Sequence, residues 1–119
     1  MNVVVTCSGL SNTGKLTTQV AVALLRHAPT SIEWVKAGAD PDRLHNTLEM
    51  ADRVIAINGC SDCCARKKIE VLGIIPDREV IATDLGVVKN GMTDPAYAEI
   101  DLVIKAVREA LNTRDEDTS

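Results

Sequence analysis

Cys7, Cys60, Cys63 and Cys64 are the residues of this chain best equipped for chemistry. A thiolate is a nucleophile, a redox group and a zinc ligand, and which of these it becomes depends on what stands beside it. Three of the four fall within one short segment, "GCSDCC", while Cys7 follows the apolar run Val3 to Val5 and Thr6. Residues three or four apart on a helix share a face, with Cβ atoms about 5–6 Å apart. Cys60 with Cys64, or Cys60 with Cys63, can therefore aim at one point, whereas the adjacent Cys63 and Cys64 cannot both do so. Zinc takes thiolates at about 2.3 Å in a tetrahedral array. The expected ligand set is Cys7, Cys60 and Cys64, with Cys63 the leading candidate for a fourth thiolate. The plain alternative, a small buried hydrophobe, is the commonest role of a free cysteine and suits Cys63 or Cys64 taken singly.

The stretch around Cys7 also imitates a phosphate-binding loop. In "VVVTCSGLSNTGKLT", Gly9, Gly14 and Lys15 stand at Walker spacing. That motif needs a hydroxyl directly after the lysine to hold Mg²⁺, and Leu16 occupies the place. The acid expected after a second buried strand is Asn58, with Asp84 a weak substitute after the fourth strand. A cysteine-phosphatase loop wants an arginine about six residues beyond its nucleophile, and Thr13 stands there. The remaining role for Lys15 is to lend positive charge to whatever the turn holds, whether a simple anion or a metal-thiolate centre. A thiol redox reading uses "CSDC", Cys60 to Cys63, opening a helix after a strand, where the helix dipole lowers a thiol pKa. Against it, the proline that would face such a motif, Pro76, precedes the fourth strand at the opposite end of the sheet.

These residues need elements to position them, and the pattern supplies strands and helices in alternation. Val3–Thr6, Ile32–Lys36, Arg53–Asn58 and "EVIATD" read as strands, the first and third buried on both faces. Helical spacing runs from about Thr13 to His27, ended by Pro29, and "GADPDRLHNTLEMA" opens a helix with Asp40 as N-cap and Pro41 behind it. A third helix follows the cysteine segment and stops near Gly73. The last, capped by Asp94 with Pro95, carries Ile100, Val103, Ile104, Val107 and Leu111 as its apolar stripe. Residues 113–119 read as a polar tail after a single domain, residues 1–112. Right-handed crossovers then favour an α/β three-layer sandwich with a mostly parallel four-stranded sheet in the order 2-1-3-4. Ligands bind such sheets beyond the carboxyl ends of the strands where the winding reverses, here between strands 1 and 3. Cys7 and Cys60, 53 positions apart, become neighbours at that crevice.

Composition bounds the partners. Only Trp34 and Tyr97 are aromatic among 119 residues and the net charge is −4, so neither base stacking nor phosphate-backbone attraction is available, and nucleic acid is not an expected partner. No apolar run approaches the roughly 18 residues of a membrane span. "MNVVVTCSG" lacks the basic n-region of a secretory signal, so a cytoplasmic setting is expected, where free cysteines serve as ligands or redox groups more often than as disulfides. His45 reads as a surface residue, and His27 as a partner for the free carbonyls at its helix end.

"VIAINGCSDCCARKKIEVLGI" resembles the DGC-domain proteins, small zinc-binding proteins named for an Asp-Gly-Cys motif after a buried strand. "TCSGLSNTGKLTTQVA" is similar to the opening of that family, and "DREVIATDLGV" to its Thr-Asp-Leu-Gly segment. The resemblance implies a zinc site using Cys7, Cys60 and Cys64. Two positions depart from the pattern: Asn58 replaces the motif aspartate, and Val35 stands where the family usually has another cysteine. Cys63, Asp84, a water or a substrate is then left to complete the shell. The function so implied is that of a sensor, carrier or interaction module with a metal ion and a small-molecule or protein partner, rather than a hydrolase, since no general base stands nearby.

Overall fold

In the computed structural model, described for residues 1–7, 11–27 and 32–112, strands and helices alternate from end to end. They are β1 (Asn2–Thr6), α1 (Asn12–His27), β2 (Ile32–Lys36), α2 (Pro41–Glu49), β3 (Arg53–Asn58), α3 (Cys64–Val71), β4 (Arg78–Ile81) and α4 (Tyr97–Asn112), with a 3₁₀ turn at Ala82–Leu85. The four strands form one parallel sheet in the order β2-β1-β3-β4, as the crossover rule requires. Gly9, Pro29 and the 113–119 tail lie outside the described residues.

Strand alternation divides the core between two faces of the sheet. Val4, Ile55 and Ile57 point to one side, where α1 supplies Leu16, Val20 and Leu24 and α4 supplies Val103 and Val107. Val3, Val5, Val54 and Ala56 point to the other, against Leu44 and Leu48 of α2 and Ala65 and Ile69 of α3. Each fully buried Val, Leu or Ile contributes about 1.5–3 kcal/mol, so both faces of β1 and β3 hold the layers together. Leu16, which replaced the Walker hydroxyl, is fully buried in the first of these clusters. Thr6 faces the α1 side and accepts a 2.9 Å hydrogen bond from Trp34 Nε1.

The α2 start follows the sequence signal, with Asp40 accepting from the Arg43 N–H at 3.2 Å and Pro41 first in the helix. Three expected boundaries differ. β4 ends at Ile81, and "ATDL" winds into the 3₁₀ turn, so Asp84 lies on an exposed turn rather than at a strand end. α4 starts at Tyr97, where Glu99 Oε1 accepts from the Ala96 N–H at 3.0 Å, while Asp94 pairs with Lys15 instead of capping. α3 begins only at Cys64, so Cys60 and Cys63 precede the helix and the shared-face spacing expected of them does not apply.

Candidate thiol centre

The last paired residues of β1 and β3 are Thr6 and Ile57, so Cys7 and Asn58 stand at the next position, side by side at the carboxyl ends of the central strands. By alternation both face the side covered by α3. The Cys7 carbonyl accepts a 3.4 Å hydrogen bond from Thr17 Oγ1 of α1, which also donates to the Gly14 carbonyl at 2.8 Å. Asn58 is fully buried, and its Oδ1 accepts from the Arg66 N–H at 3.2 Å, capping α3 from the neighbouring strand. A backbone N–H can meet only the amide oxygen, which leaves Asn58 Nδ2 as a donor. It is the one buried side-chain polar atom without a partner among the described residues. Such an orphan costs about 1–3 kcal/mol and, in a native fold, calls for a reason.

Gly59 follows, and its residue type is set by proximity rather than by φ. A Cβ there would lie 2.6 Å from the Thr13 carbonyl oxygen in the first turn of α1. The chain then turns, with the Cys63 N–H donating to the Cys60 carbonyl at 3.0 Å. Cys63 itself adopts the left-handed conformation, φ 51° and ψ 48°, at the threshold of α3. This reversal separates neighbouring thiols. Cys63 is buried, and the charges facing it include Arg66 and Lys67 of α3, Glu79 of β4 and Asp84 of the 3₁₀ turn. Glu79 is also ion-paired with Arg66 at 3.1 Å, so Cys63 sits on the β4 side of β3. Burial pushes its pKa up.

Cys64 faces the β1 side. Its pKa is raised by burial first, then by the neighbouring Cys7 thiol and by Asp62, with Lys67 opposing. Cys60 occupies a third position. Its sulfur lies 3.6 Å from Asp62 Oδ2 and 3.8 Å from Lys89 Nζ, which reaches over from the segment after the 3₁₀ turn. The structure thus brings Cys7 and Cys64 together, holds Cys60 beside a cation, and directs Cys63 elsewhere. Among the described residues, no three His, Cys, Asp or Glu side chains are grouped closely enough to hold a metal ion. Val35 is a core residue paired with Val5.

Lys15 does not project into an anion cradle. Its Nζ donates to the Met92 carbonyl at 2.6 Å and pairs with Asp94 at 3.4 Å. The adjoining Asn12 is buried and grips the same segment: Nδ2 donates to the Val88 carbonyl at 2.8 Å, Oδ1 accepts from the Asn90 N–H at 2.6 Å, and its own N–H donates to the Gly91 carbonyl at 2.9 Å. The residues that imitate a phosphate loop fasten the covering segment instead. Nothing in the local sequence announces that role, because the partners lie 76 to 79 positions away. A cleft of about 500 Å³ opens at the carboxyl end of β2, lined by Trp34, Lys36, Gly38 and Arg43 among others and by no cysteine. His45 is on the surface of α2, 3.1 Å from Glu49. No helix of the described residues is long and apolar enough to cross a membrane.

The family model of the DGC domain matches residues 3–107. Neither a curated protein nor a solved structure matches the chain.

Proposed function

The chain belongs to the DGC-domain family, and from the thiols at its switch point we propose that it is a zinc-binding module using Cys7 and Cys64, with Cys60 as the third thiolate. The observation that carries this reading is the placement of Cys7 at the carboxyl end of β1, beside the end of β3, with Cys64 near enough for the Cys7 thiol to raise its pKa. The donor chemistry suits zinc, which binds deprotonated sulfur. The start of α3 and the free Asn58 donor beside Cys7 offer N–H groups to a site that gains negative charge as thiols ionise. Bound zinc would supply a redox-inert Lewis acid with room for a fourth ligand. Cys60 is assigned to the set because it follows by two positions the end of β3, the strand that pairs with β1, whereas Cys63 is buried with Arg66, Lys67, Glu79 and Asp84 around it. An incomplete shell suits a carrier or sensor, which must release what it binds, better than a closed structural site.

Metal analysis of the purified chain, with a count of reactive thiols, tests the reading. The expected result is about one zinc per chain, by the one-site rule, with Cys7, Cys60 and Cys64 shielded from alkylation. Cys7→Ser and Cys64→Ser lose the metal, and Cys63→Ser keeps it. Protein that takes up no zinc from a buffered zinc solution and leaves those three thiols open to alkylation disproves the assignment.

A further inference from the structure

We propose that the cleft at the carboxyl end of β2 binds a small organic phosphate monoester, its phosphate held by Lys36 and Arg43 and its apolar body against Trp34. The cleft measures about 500 Å³, within the roughly 300–1,000 Å³ of small-ligand sites. Trp34, Val35, Lys36, Gly38, Ala39 and Arg43 line it, and among the described residues no acidic side chain does so. The chain as a whole has a net charge of −4, so a cleft lined by a lysine and an arginine concentrates the opposite sign. The position fits as well, because open parallel sheets take ligands beyond the carboxyl ends of their strands. Lys15, the cation that imitates a phosphate-loop lysine, is tied to Met92 and Asp94 and leaves this role to the β2 cleft.

Local hydrogen bonds hold the lining residues in place. Lys36 ends β2 opposite Thr6, and its carbonyl accepts from the Ala39 N–H at 3.0 Å. Arg43 stands in the first turn of α2, where its N–H donates to the Asp40 carboxylate at 3.2 Å. That carboxylate serves the helix cap and does not line the cleft. Trp34 Nε1 donates to Thr6 Oγ1 at 2.9 Å, which fixes the indole, and Lys36 Nζ lies 5.6 Å from the centre of its ring. The ring thereby positions the ammonium through a cation–π contact. A phosphate monoester carries about −1.5 to −2 charge in one group at pH 7 and answers both cations at once, which a single carboxylate does not. The guanidinium adds a planar fork of donors that matches two phosphate oxygens. No cysteine lines the cleft, so the proposal is independent of the zinc reading.

Trp34 is the only tryptophan of the chain, so intrinsic fluorescence reads this cleft directly. The test titrates the full chain with phenyl phosphate at neutral pH, with phenol, benzoate and inorganic phosphate in parallel. A saturable change with phenyl phosphate is expected at a Kd of about 1 mM or tighter, and the other three should bind at least about tenfold more weakly, since each lacks one of the two contacts or half the charge. Lys36→Ala and Arg43→Ala should each weaken binding about tenfold, as the loss of one charged hydrogen bond implies. Lys105→Ala, an exposed cation on α4, should bind as the wild type. Because Lys36→Ala also changes the surroundings of the indole, calorimetry repeats the series without the fluorescence signal. No saturable binding overturns the proposal, and so does phenol, benzoate or inorganic phosphate binding as tightly as phenyl phosphate. Wild-type affinity in either cleft variant, or an equal loss in Lys105→Ala, overturns it too.

Discussion

Gly59, just beyond β3, lies against the first turn of α1. A methyl group there would meet the Thr13 carbonyl oxygen at 2.6 Å and its carbon at 2.7 Å, both of them backbone atoms that cannot rotate away. Gly59→Ala must push the first turn of α1 off the end of β3, at about 1–3 kcal/mol by the usual cost of overpacking. Chemical denaturation should show that loss, and an unchanged midpoint would mean the approach is looser than these distances. Cys63 carries the other local constraint, since a left-handed non-glycine residue costs about 1–2 kcal/mol. That conformation sends Cys63 towards Glu79 and Cys64 towards Cys7. Sequence spacing alone could not reveal it. Helical periodicity presumes a helix, and the segment "GCSDC" is a turn whose direction is decided by one backbone angle pair.

At the scale of elements, the first turn of α1 is a clasp for residues 88–94. Asn12, itself buried, makes two part-buried side-chain hydrogen bonds to it, at 2.8 and 2.6 Å, and Lys15 two exposed ones. These should not be equal. Asn12→Ala strands the Val88 carbonyl and Asn90 N–H and should cost about 1–3 kcal/mol, with faster hydrogen exchange at Asn90. Lys15→Met touches partners open to water and should cost no more than about 1 kcal/mol. Equal losses in the two variants would refute the ranking. The start of α2 was readable in the sequence because Asp40, Pro41 and Arg43 act on one another locally. The clasp was not, because a lysine after a glycine-rich turn looks the same whether it waits for phosphate or for Met92. The end of β4 was equally hidden, since the apolar run into "ATDL" fits a strand and a 3₁₀ turn alike.

At the scale of the molecule, the order of the strands is what puts Cys7 beside the cysteine segment. It could be read from the sequence because alternating strands and helices leave few right-handed windings for so short a chain. All three strand pairings are parallel, so none can be made by a hairpin. β1 and β3 pair across β2 and α2, and every such long-range pairing must close a loop before it is rewarded. During refolding, pulsed alkylation should therefore find Cys7 reactive until the native sheet forms. Protection of Cys7 ahead of the sheet would show that another contact shields it. The same crossover sets a hazard of biogenesis. A newly made or partly unfolded copy has all four thiols but not yet the neighbour that each is meant to have. An oxidant arriving too early can join the adjacent cysteines of the turn and trap a misassembled chain, so correct thiol chemistry is reserved for molecules that have finished folding.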